Sequence, residues 1–183
     1  DAAPGGTLDY QSGSFWFDPG ATVTATTTNR VTGNISLNGT VSLPNFELAT
    51  GGYLFGTFTN TGTLTWTGGS IGSGDILIAS GGVLNIAGAA ERSLGGTVRL
   101  NNAGTINWLG TGGVAGTAAY FTNLAGGVMN LQNDAGFYRG GTLFVHNAGL
   151  LRKTGGAGTF TFAPTTFNNT GTIEVQSGTL NFD

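Results

Sequence analysis

Asn-Thr-Gly-Thr-Leu-Thr-Trp, residues 60–66, decides the fold, because it returns with substitutions along the rest of the chain. It recurs as Ser-Gly-Gly-Val-Leu-Asn-Ile at 80–86 and Asn-Ala-Gly-Thr-Ile-Asn-Trp at 102–108. Further copies stand around Gly127, at 147–153 and at 169–175. The anchoring glycines are Gly62, Gly82, Gly104, Gly127, Gly149 and Gly171. Their spacing of roughly 20 to 23 residues is that of a solenoid.

The second and fourth residues after each anchor are apolar, with Lys153 the one break, and the first and third are not held to that rule. The second positions are Leu64, Leu84, Ile106, Met129, Leu151 and Ile173; the fourth are Trp66, Ile86, Trp108, Leu131, Lys153 and Val175. Period-two alternation makes each segment a short strand with one buried face. A second strand precedes the glycine and ends in Ile78, Leu100, Phe121, Val145 and Phe167. A third, shorter face carries Ile71, Leu94, Val114, Phe137 and Phe160. Asn or Ser and then Gly form the link between strands, and both kinds of residue suit a sharp corner.

Three strands per turn, each in register with its counterpart one repeat later, predict an all-β chain forming a single right-handed parallel β-helix. Its rungs, about eight of roughly 22 residues, stack at ~4.8 Å into a rod about 40 Å long. Residues 1–183 read as one β-solenoid domain, with less regular rungs over 1–59 and regular ones over 60–183. In the irregular part, Gly6-Thr-Leu-Asp-Tyr and Gly39-Thr-Val-Ser-Leu fit the anchor pattern, and residues 19–25 fit with one insertion. Phe15 and Phe17 should share a face with Trp16 opposite, and residues 44–52 should protrude as a loop.

The segments His-Asn-Ala-Gly-Leu-Leu-Arg-Lys-Thr-Gly-Gly at 146–156 and Phe-Asn-Asn-Thr-Gly-Thr-Ile-Glu-Val-Gln-Ser-Gly-Thr-Leu at 167–180 resemble repeats of large secreted bacterial β-helix proteins. The broader likeness is to autotransporter passenger domains and filamentous-haemagglutinin-type adhesins. It covers residue 60 to the end. The resemblance implies a non-enzymatic rod, extracellular or at the cell surface.

Composition narrows the classes. Charged residues make up 8% of the chain, against about 25% in typical globular proteins. Hydroxyls and amides must therefore keep the surface in water. Six basic residues and a formal charge of −3 exclude a nucleic-acid footprint. Without cysteine, neither disulfides nor thiolate metal sites can form. No apolar run is long enough for a membrane-spanning helix, so no membrane insertion is expected. Any export signal has been removed or lies outside residues 1–183.

No catalytic, cofactor-binding or metal site emerges from the sequence. The acidic residues form no short-spaced pair of the kind that glycoside hydrolysis needs. The run Gly-Ser-Gly-Asp at 72–75 only faintly resembles a calcium-binding repeat and has no second copy. Arg152 should pair with Glu174 on the next rung, and Lys153 should mark an early strand end, with its head in solvent. Ice binding is a minor alternative, weakly supported because only one rung carries paired outward threonines, Thr63 and Thr65. A carbohydrate-binding or carbohydrate-cleaving helix, similar to a polysaccharide lyase, is the main alternative.

The candidate sites are therefore structural. Asn60, Asn102, Asn147 and Asn169 should form a corner ladder. Leu77, Tyr120 and Phe144 should align on an outer face as a lateral contact. Leu8, Tyr10, Leu180 and Phe182, in matching strand patterns near the two ends, should mediate end-to-end contact. The expected partners are further copies of the chain, flanking repeats of a longer chain, or surface glycans.

Overall fold

The computed structural model describes residues 6–21, 28–41, 45–164 and 166–183. The parts of the irregular rungs at 22–25, 42 and 43, and Pro44 with them, lie outside the described residues. The described residues form strands of three to five residues and no helix. These build three parallel sheets of nine, nine and seven strands. Each sheet takes at most one strand from a turn, giving a β-solenoid of about eight turns of roughly 22 residues. Sheet 1 holds the segments after the anchors, sheet 2 the shorter face, and sheet 3 the strands that lead into the next anchor.

Alternation explains the core. In sheet 1, Leu64 lies beside Leu84, Ile106, Met129 and Leu151 on successive rungs, all buried. The next inward column runs Trp66, Ile86, Trp108, Leu131, Lys153. Phe137 and Phe160, from two successive rungs of sheet 2, each meet Trp108 edge-on at 5.0 Å. Burying each such side chain contributes about 1.5–3 kcal/mol, and aromatic edges add about 0.5–1.5 kcal/mol per pair.

Within the expected loop 44–52, the described residues 45–52 do not protrude. Phe46–Leu48 is a strand of sheet 1 between Thr28–Val31 and Thr63–Trp66, with Phe46 and Leu48 in the core. The segment lacks the glycine anchor, yet its Phe-Glu-Leu alternation suffices to place it. Phe15 and Phe17 do share the inner side, and Trp16 is 65% exposed.

Two corner lengths connect sheet 3 to sheet 1. Two residues follow Asn60, Asn102, Asn147 and Asn169, whereas four, ending in Gly-Gly, follow Ile78 and Asn123. In the longer form the N–H of Gly82 donates to the carbonyl of Ala79 at 2.8 Å and Gly81 has φ +86°. That is a turn requiring a left-handed residue at its third position. The extra residues shift sheet 3 against the glycine count. Ile78 therefore aligns with Asn102, not Leu100, and Leu77 aligns with Asn101, not Arg99.

Candidate functional site: the polar ladders and the terminal rung

Five of the seven sheet 3 strands end on asparagine: Asn60, Asn102, Asn123, Asn147 and Asn169. Asn102 Nδ2 donates to Asn123 Oδ1 at 2.8 Å, Asn123 Nδ2 to Asn147 Oδ1 at 2.7 Å, and Asn147 Nδ2 to Asn169 Oδ1 at 2.6 Å. Each amide also reaches the next rung's backbone: Val128 O from Asn102, Leu150 O from Asn123 and Thr172 O from Asn147. Asn60 makes the same backbone bonds, to Gly62 O at 2.9 Å and Val83 O at 3.2 Å. No amide chain joins it to Asn102, because Ile78 stands between them in the column. The expected ladder thus loses Asn60 as a continuous member and gains Asn123, hidden in the sequence by its four-residue corner.

Asn123→Ala removes three donated bonds and leaves Asn102 Nδ2 without its amide acceptor. We expect a loss of about 2 kcal/mol in urea denaturation, since buried partners are orphaned. Asn169→Ala, at an exposed position, should cost well under that.

A second ladder lines the outside of sheet 1. Asn107 Nδ2 donates to Asn85 Oδ1 at 3.1 Å, Asn130 Nδ2 to Asn107 Oδ1 at 2.8 Å, and Arg152 Nε to Asn130 Oδ1 at 2.5 Å. Arg152 does lie beside Glu174 in register, but its guanidinium turns back to Asn130 and forms no ion pair with Glu174. Glu174 accepts instead from Gln176 at 3.3 Å.

Two buried cations staple the corners between sheets 1 and 2, and neither was legible as such. Arg92 is 2% exposed and donates to Trp66 O, Gly112 O and Gly88 O at 3.0, 3.0 and 3.1 Å, and to Ala87 O. Burial lowers its pKa, with nearby Glu91 opposing the shift. Lys153 is fully buried inside the strand Leu150–Lys153, so the expectation of an early strand end with a solvated head is overturned. Its Nζ contacts Asp134 Oδ1 at 2.8 Å and the carbonyls of Gly155, Asn133 and Gly156 at 2.5, 3.2 and 3.2 Å. The corner bends back over the core there, so the ammonium finds four oxygens without leaving the interior. Asp134 is held below the usual carboxylate range by its bond from Lys153, then by the N–H of Gly158.

The outer column of sheet 3 runs Asp75, Arg99, Tyr120, Phe144, Thr166. Leu77 belongs to the adjacent column, with Thr59 and Asn101. Tyr120 and Phe144 stack at 4.9 Å, and Arg99 lies over the Tyr120 ring at 5.4 Å while approaching Asp75 at 3.6 Å. Tyr120 is 40% exposed. Beside this column lies an open trough of about 320 Å³ whose lining includes Thr40, Thr57, Thr59, Asp75, Leu77 and Asn101.

At the terminal rung the inward positions are no longer covered. Val175 is 50% and Phe182 42% exposed, whereas Lys153 and Phe162, one rung beneath them, are both at 0%. Leu180 is half-buried, as are Leu8 and Tyr10 in the first rung.

The fold and these ladders define a parallel β-solenoid repeat protein. Among family models, curated proteins and solved structures, none matches the chain.

Proposed function

We propose that the chain is a structural segment of an extracellular or cell-surface rod, such as an adhesin or surface fibre, acting by axial stacking of rungs and not by catalysis. Its partners in this reading are further copies of itself or flanking repeats of a longer chain. One observation carries it. The terminal rung presents Val175 and Phe182 on strands whose outer edges are unpaired, and a parallel edge with apolar inward residues recruits another rung. The side chains best suited to chemistry support the same reading. Arg92 and Lys153 are engaged by main-chain oxygens, and the asparagines by one another. The bacterial surface setting rests on the resemblance of residues 146–180 to secreted β-helix repeats. Low charge leaves little repulsion against stacking. Surface glycans are a second class of partner, favoured by the hydroxyl-lined trough around Thr59 and Asp75.

Leu180→Glu with Phe182→Glu should abolish assembly while the inner rungs keep their sheet signal in circular dichroism. A double variant that assembles as well as the parent contradicts axial stacking.

A further inference from the structure

We infer that the trough on the outside of sheet 3 is a binding site for a neutral sugar residue of a glycan, with Asp75 as the group that engages its hydroxyls. This rests on the reading of surface glycans as a second class of partner and gives that reading a place and a chemistry. The relief of the face follows from its sequence. Thr59 lies one rung below Leu77, and Thr57 accepts from the Asp75 N–H at 3.5 Å, so short side chains floor the lower step. Arg99 and Asn101 stand one rung above Asp75 and Leu77, and the stacked Tyr120 and Phe144 rise beyond Arg99. Between floor and ridge the step leaves about 320 Å³, within the range of small-ligand sites, about 300–1,000 Å³. Phe58–Asn60, Gly74–Ile78 and Val98–Asn102 each pair with a strand on both sides, so the lining is held before any ligand arrives.

The polar groups of this lining are free, which sets them apart. On sheet 1, Asn85, Asn107 and Asn130 satisfy one another, and Thr67 donates to Glu47 at 2.7 Å. Among the described residues, by contrast, the side chains of Thr59 and Asn101 exchange no hydrogen bond with the protein, and the Asp75 carboxylate meets only Arg99, at 3.6 Å. That separation is too long for a hydrogen bond, while Arg99 lies over the Tyr120 ring at 5.4 Å. A pyranose ring matches this set. Its adjacent hydroxyls donate to the two carboxylate oxygens, and such charge-assisted bonds are the strong ones. Asn101 and the threonines donate and accept around them, and Leu77 takes the apolar C–H face. Among the described residues Asp75 is the one charged group of the lining, and Arg99 stands outside it. An anionic sugar is therefore repelled where a neutral one is bonded.

The test is calorimetric titration of the 183-residue chain with maltohexaose and mannohexaose, and with hexagalacturonate as the anionic probe. At least one neutral probe should bind, and hexagalacturonate should not. Asp75→Asn keeps the size of an exposed side chain and should weaken binding by about tenfold. Thr59→Tyr fills the trough and should abolish binding, with the parent's sheet signal kept in circular dichroism. Thr105→Val, on the outside of sheet 1, should change nothing. Neutral binding that survives both Asp75→Asn and Thr59→Tyr overturns the trough as the site and leaves glycans standing as partners. Binding of hexagalacturonate as tight as that of the neutral probes overturns the selection of a neutral sugar. No binding of any probe at millimolar concentration overturns the site and the glycan reading together.

Discussion

Arg92→Met should destabilise the protein by about 3–5 kcal/mol, read as a fall in the denaturation midpoint. The guanidinium links three successive turns: Trp66 O below, Ala87 O and Gly88 O in its own corner, and Gly112 O above. Methionine keeps the length and apolar stem but donates to none of them. Gly112 O keeps a bond from Trp108 Nε1 at 3.3 Å, Trp66 O one from the Ala87 N–H at 3.0 Å and Gly88 O one from the Gly112 N–H at 3.3 Å, but every one of these carbonyls, and Ala87 O, loses its charged donor with no replacement from methionine. For a chain of this size the melting temperature should drop by roughly 10 °C. Arg92→Lys should fall between, because an ammonium cannot reach both sides of the corner as a planar fork does. A Met variant within about 1 kcal/mol of the parent would show that water replaces the staple freely.

Lys153→Leu should cost about 3 kcal/mol. On packing alone the change looks benign, since Leu131 is the neighbour beneath and Val175 lies above. Hydrogen bonding decides otherwise, because three carbonyls and the Asp134 carboxylate lose a fully buried donor. The variant should also change the acid limb of stability. Asp134 is depressed below its ordinary value in the folded chain. It therefore contributes stability above the unfolded carboxylate pKa, and that contribution is lost as pH falls through the folded one. Lys153→Leu should flatten this dependence below about pH 4, as measured by thermal melts across the acid range.

The period, the alternation and most of the core were legible because a solenoid repeats one local rule. Leu64, Leu84 and Ile106 could be assigned inward by counting from a glycine. The count slipped by two where a four-residue corner precedes Gly82 or Gly127, which misplaced Leu77 and hid Asn123. Phe46–Leu48 was missed because no glycine announces it, although burial of Phe46 and Leu48 fixes it as firmly as any anchored strand. Lys153 was misread for a different reason. A cation in an apolar column is affordable only where carbonyls converge, and convergence is a property of the folded corner that no linear spacing encodes.

The central claim is a rod extended by stacking rungs, and cryo-electron microscopy of the concentrated chain tests it most directly. The account predicts filaments built in steps of about 40 Å, with the ~4.8 Å strand spacing continuing unbroken across each junction. Copies joined side by side through the Tyr120 column would contradict it, and single particles of about 40 Å at every concentration would rule out copies of the chain as the stacking partner in favour of flanking repeats.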